Sequence, residues 1–150
     1  QPFVKLDGDI LLPDAGLLTH LLEHPAPTAA LVDTARELDA EAMKARIEAG
    51  LVTQFGKWLA VADASGESIG IEKIAAKDAA TLFDAIEQMV QREGKHDVYY
   101  EDVYHRLLTQ RSDWQMAACE LGDHRWTEID DHADLEHAKA LAAKPAASMS

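Results

Sequence analysis

Near the start of the chain, Phe3-Val4-Lys5-Leu6 reads as a strand. It runs into Asp7-Gly8-Asp9 before Ile10-Leu11-Leu12 resumes the apolar pattern. Side chains on a strand alternate between faces, so Asp7 and Asp9 are expected to point the same way. Gly8 between them permits close approach of the backbone to a ligand. A second acidic strand end lies near the other terminus, in Trp126-Thr127-Glu128-Ile129-Asp130-Asp131, where Glu128 and Asp130 share a face by the same parity. Two carboxylate-bearing strand ends suit a Mg²⁺-phosphate site, because Mg²⁺ takes one or two carboxylates together with waters and substrate phosphates. Singly, Asp-Gly-Asp is a common loop and Asp131 a common helix cap. Their occurrence together, with what lies between, gives the metal reading its weight.

Between these ends the pattern alternates. Asp14 is placed to cap a helix running to about His24, with Leu17, Leu18, Leu21 and Leu22 as its apolar face and Pro25 as its stop. His20 and His24 stand one helical turn apart, a spacing that can hold a metal; with no third ligand nearby, solvent-exposed histidines are the favoured reading. Residues 28–34 read as a buried strand. Met43 to Glu48 and Leu51 to Phe55, joined by Ala49-Gly50, carry a hairpin signature. That hairpin puts Lys44 and Lys57 on the sheet or its edge, as surface charges or as point charges for phosphate oxygens. Ser68 to Ile74 reads as a strand. Asp78 is placed to cap the longest helix, 79–93, with Leu82, Phe83, Ile86, Met89 and Val90 inward. A second helix follows Asp97, with Tyr100, Val103, Tyr104, Leu107 and Leu108 inward. Glu101 and Asp102 fall in its first turn, where the helix dipole favours acids; a contact with a substrate amine is the other reading. Trp114 to Leu121 reads as a strand with Cys119 buried, and Asp131 with Asp134 makes a cap pattern for a last helix. Strands alternating with helices predict an α/β class with a largely parallel sheet.

The 150 residues suffice for one domain with a real core. No apolar run is long enough to span a membrane. A formal charge of −13 argues against a nucleic-acid polymer as partner, since phosphate backbones need Lys and Arg. An acidic protein can still take nucleotides through a bound cation. The single Cys119 precludes an internal disulfide and fits a cytoplasmic setting. The chain opens at Gln1 and enters a strand at once, which reads as a cut. Its end is expected to be a disordered tail over 144–150.

The series Leu6-Asp7-Gly8-Asp9, Glu41-Ala42-Met43-Lys44, Gly56-Lys57, Gly66 to Ile71, Tyr99-Tyr100-Glu101-Asp102 and Trp126 to Asp131 with Asp134-Leu135 resembles the nucleotidyltransferase family. Within it, the likeness is greatest to the phosphocholine and phosphonate cytidylyltransferases. The resemblance implies a Rossmann-like α/β fold and Mg²⁺-dependent transfer of a nucleotidyl group from a nucleoside triphosphate such as CTP. The acceptor would be a small phosphate or phosphonate, such as phosphocholine or 2-aminoethylphosphonate, and pyrophosphate would leave. Asp9 matches the family's metal aspartate after the central strand, and Asp130 the second acid, with Glu128 close by. Lys44 and Lys57 match basic catalytic positions. Tyr100 and Glu101, with Asp7, are assigned to the acceptor. The family's glycine-rich loop, its Arg and its Pro-Lys pair have no counterpart here. The resemblance therefore covers the C-terminal part of such a domain, 1–143, lacking its first βα portion. It implies a nucleotide-binding part supplied by a longer parent or a partner chain. A homodimer is among the assemblies the sequence allows. The competing readings are a non-catalytic assembly module and a transferase for sugar phosphates.

Overall fold

The computed structural model describes residues 1–13 and 15–143; Asp14 and the expected tail 144–150 lie outside them. The first strand, β1 (Phe3–Leu6), leads through a turn to the short β2 (Ile10–Leu11) and helix α1 (Gly16–Glu23). Strand β3 (Ala29–Asp33) follows, then a hairpin of β4 (Lys44–Glu48) and β5 (Leu51–Phe55), and the long β6 (Gly66–Ile74). Helix α2 (Ala76–Glu87) continues as a π-helical turn over Gln88–Arg92; then come α3 (Tyr100–Gln110), β7 (Ala117–Glu120), β8 (Thr127–Glu128) and α4 (His132–Ala142).

Six strands form one sheet in the order β1-β6-β3-β7-β5-β4, and β4 also pairs with the start of β6, Lys44 opposite Glu67. A separate ribbon joins β2 to β8, Ile10 opposite Glu128. Among the described residues the sheet is mixed, not largely parallel. Only β3 and β7 run parallel; β6 opposes both β1 and β3. The alternation of helix and strand breaks between β3 and β6, where the chain passes through the hairpin with no crossover helix, and a strand reached that way is free to return antiparallel. The hairpin itself is as expected. Its turn residues Ala49 and Gly50 both have positive φ, 51° and 78°, the tight turn whose twist matches its strands.

Both faces of the sheet are covered. Ala29 and Leu31 of β3 pack with Leu17 and Leu21 of α1, Ile69, Ile71 and Cys119. Ala30 and Val32, one residue out of phase, pack on the other face with Leu82, Met89, Val103, Tyr104 and Trp114 beneath α2 and α3. A strand buried on both sides reads as a continuous apolar run, as 29–32 does. Three inward assignments change. Leu22, Phe83 and Tyr100 are 61%, 56% and 50% exposed. Phe83 stacks on Phe3 at 5.6 Å between ring centroids, at the margin of the sheet. Asp78 does not cap α2. The Thr28 hydroxyl donates to its carboxylate at 2.5 Å, and the Ala75 amide donates to that same Thr28 oxygen at 3.0 Å, so a neighbouring strand meets the end of the helix. Asp131 does cap α4: its carboxylate accepts from the amides of Ala133 and Asp134, and Asp134 answers to Asp131 N. Among the described residues no helix is long and apolar enough to cross a membrane.

Candidate functional site

A cavity of about 690 Å³ opens where β1 ends, flanked by the middle of β6, the loop after β3, the start of α3 and the β8–α4 junction. Nine carboxylate side chains line it against two cations, Arg36 and Lys57. A cleft so charged has one clear chemical preference, for positive charge.

The geometry at its mouth begins with a failure of strand parity. Strand β1 ends at Leu6 and Gly8-Asp9 is a turn, so strand parity does not reach Asp9, although Asp7 and Asp9 both line the cavity. Asp9 is carried toward the other acidic segment by the β2–β8 ribbon, where the Ile129 amide donates to Asp9 O at 3.0 Å. There one carboxylate oxygen from each of Asp9, Glu128 and Asp130 comes within 4.8 Å of the others. No described lysine or arginine pairs with any of the three. Burial, then the neighbouring Asp130 and Asp9 charges, hold the Glu128 carboxyl above its usual range. Three hard oxygen donors with no thiolate or imidazole among them fit Mg²⁺ or a similar cation.

The floor is built differently. The Asp7 amide donates to Gly70 O at 3.0 Å, and its carboxylate lies against Gly70, where a Cβ would run into it. Gly70 has φ 71°. It sits in a bulge: from Ala30 to Val32, β3 advances two residues while β6 spends four, Glu72 to Ser68. Lys5 Nζ meets Asp7 Oδ1 at 2.7 Å and Glu72 Oε2 at 3.5 Å, and lies 4.7 Å from the centre of the Tyr100 ring. Glu72 is fully buried, and Tyr104 donates to its Oε2 at 3.3 Å. Burial chiefly, then Glu101 and Asp7, push Glu72 up to about 8. Burial likewise raises Glu101, which lines the floor with the Ser68 hydroxyl 3.5 Å away.

At the rim, Lys57 lies 5.1 Å from the Tyr99 ring centre and 3.8 Å from Glu41. Burial opposes its charge, but Tyr99 and Glu41 outweigh that and raise it. On the opposite wall Arg36 lies 5.0 Å from the Trp126 ring and 3.5 Å from Glu67. Asp33 organises that wall: one carboxylate oxygen caps the amides of Ala35 and Arg36, and the other accepts from Trp126 Nε1 at 2.7 Å.

The structure thus brings Asp7, Asp9, Lys57, Glu101, Glu128 and Asp130 to one cavity. Two assigned residues stand elsewhere. Lys44 is 1% exposed and its ammonium donates to the carbonyls of Ala40 and Ala42 at 2.9 and 3.0 Å, holding the loop before β4. Tyr100 faces outward over Lys5, and Tyr99, the residue before the helix, takes the place at the rim. His20 and His24 diverge, toward Glu120 O and the Ala26 amide. Arg36, Trp126 and Lys5 carried no assignment. Lys5 had a readable signal: parity puts it on the Phe3 side of β1, facing inward.

The fold and cleft define an α/β domain with a mixed sheet and an acid-lined cavity where its first strand ends. It shares its fold with solved transferase structures. The inositol-1-phosphate CTP transferase from T. maritima superposes with a TM-score of 0.70 at 18% identity, over 95% of this chain and 55% of that one. A protein assigned as a glucose-1-phosphate thymidylyltransferase from Bacillus anthracis gives 0.67 at 17%, over 99% and 57%. A mannose-1-phosphate geranyltransferase from Thermus thermophilus gives 0.53 at 16%, over 93% and 50%. The chain spans about half the length of the structures it matches. No family model and no curated protein matches its sequence.

Proposed function

We propose that this chain is the metal- and acceptor-binding part of a cytoplasmic nucleotidyltransferase. In the reaction, an acceptor phosphate or phosphonate oxygen bonds to the α-phosphorus of a nucleoside triphosphate, CTP on the sequence resemblance, and the bond to pyrophosphate breaks. The observation that carries the reading is the convergence of Asp9, Glu128 and Asp130 from opposite ends of the chain. These three would hold Mg²⁺, which when bound supplies positive charge for the phosphate oxygens. Lys57 and Arg36 are the cavity's own cations for phosphate. Glu101 and the Tyr99 ring suit a cationic head such as the amine of 2-aminoethylphosphonate or the choline of phosphocholine. The excess of acid favours such acceptors over neutral sugars. The names of the similar structures favour a sugar or polyol phosphate; full turnover of a sugar phosphate, whose sugar carries no charge, by Glu101→Gln would establish that second reading.

Two cations are too few for a triphosphate, so the nucleotide cradle is assigned to a βα portion outside this chain. It would dock beside β1, the terminal strand of the sheet. Val4 and Leu6 are 40% and 50% exposed there, with Leu22 on one face and Phe83 on the other.

The test is pyrophosphate release with CTP, Mg²⁺ and either acceptor, in protein isolated with whatever co-purifies, beside Mn²⁺ titration of this chain. Asp9→Ala should abolish release and weaken Mn²⁺ binding at least tenfold, as loss of one of three ligands requires. Release unchanged in Asp9→Ala, or no Mn²⁺ binding at millimolar concentration, defeats the proposal.

A further inference from the structure

We infer that Lys5 is a positioning residue for the cation site, acting through Asp7 to fix the Asp7-Gly8-Asp9 turn; the inference rests on the cation reading of that site. The observation is an expensive side chain in an unexpected place. Lys5 stands in mid-strand on the inward face of β1, its side chain 13% exposed, with a fully buried carboxyl on one side and Asp7 on the other. For stability alone an apolar residue of similar volume would serve as well or better, because removing an ammonium from water costs several kcal/mol that a pair rarely recovers. What lysine provides is an anchor. Asp7 is held twice, by its amide to Gly70 O and by its carboxylate to Lys5 Nζ at 2.7 Å, and it opens the turn that presents Asp9. Beyond the turn, Asp9 O is tied to the Ile129 amide. The loop bearing one candidate ligand is therefore pinned on both sides, and Lys5 is the side-chain pin. The Tyr100 ring covers the ammonium from α3, Glu72 approaches it from β6 through the oxygen to which Tyr104 donates, and Glu101 adds its charge.

The sign of one effect separates positioning from plain electrostatics. A cation removed from the neighbourhood of a metal site should tighten metal binding if only charge matters. If Lys5 positions the turn, its loss should weaken it. The test measures Mn²⁺ affinity by titration calorimetry, and hydrogen exchange in the peptide spanning residues 7–12, for wild type, Lys5→Met and Lys5→Arg. Expected for Lys5→Met is Mn²⁺ affinity lower by about tenfold, as for loss of an outer support to a metal ligand, faster exchange in that peptide, and recovery of both in Lys5→Arg. Tighter Mn²⁺ binding with unchanged exchange overturns the inference. Should Lys5→Met not fold, Asp7→Asn breaks the same pair from its exposed side, and unchanged exchange there overturns it equally. Wild-type chain that binds no Mn²⁺ refutes the cation reading, while the exchange measurement still decides whether Lys5 pins the turn.

Discussion

Replacing Glu72 with glutamine should change how stability responds to pH. Glu72 has no exposed surface, its Oε1 has no partner, and its Oε2 is shared between Tyr104 and a Lys5 ammonium that lies closer to Asp7. Asp7 at 2.7 Å keeps Lys5 charged while Glu72 holds a proton. The folded-state value is about 8 against an ordinary 4.5. Between those values the folded protein binds one more proton than the unfolded chain, so stability falls as pH rises, by about 1.4 kcal/mol per unit. The contribution is full below about pH 4.5 and gone once pH has passed about 8. From about pH 5.5 to about pH 7.5 this one group should cost the wild type roughly 2–3 kcal/mol, a large share of a small domain's stability. Glutamine has the same shape and no proton to lose. The Glu72→Gln variant should therefore gain on the wild type by that amount across the interval. Urea unfolding at three pH values, with the slopes checked for constancy, reads the difference directly. Parallel stability curves for the two proteins would refute the reasoning: Glu72 would then be ionised in the fold and paired with Lys5.

Two other perturbations separate structure from site. Gly70→Ala forces a side chain into φ 71° and into the Asp7 carboxylate; it should cost about 1–2 kcal/mol for the backbone alone, with Mn²⁺ affinity reduced as Asp7 moves. Equal stability and affinity in the variant would contradict the bulge as the seat of the cavity floor. Lys44→Met leaves the Ala40 and Ala42 carbonyls without their donor and should lower stability by about 2–3 kcal/mol in urea unfolding. A variant as stable as wild type but without pyrophosphate release would return Lys44 to the catalytic role its sequence position suggested.

What the sequence disclosed, and what it hid, divides along a physical line. Element identity was legible because it depends on local pattern. The hairpin follows from Ala49-Gly50 between alternating runs, the two-sided burial of β3 from its unbroken apolar stretch, and the α4 cap from Asp131 and Asp134. Strand direction was not, because it depends on how the chain returns; β6 lies antiparallel between β1 and β3 with nothing in its own residues to say so. The candidate site shows the same division on a finer scale. The acids were visible as types, but parity put Asp7 beside Asp9 only if the strand continued, and it stops at Leu6. A helix boundary decided Tyr99 against Tyr100: successive helical residues point about 100° apart, so starting α3 at Tyr100 sends that ring outward and leaves Tyr99, still extended, at the rim. Lys5 and Glu72 were the most readable of the missed residues. Each interrupts an apolar strand on its inward face, and a charge placed there costs too much to be accidental filler. Charged residues with inward parity mark where a sheet supports a site from behind, and here they sit under the turn that brings Asp9 to its partners.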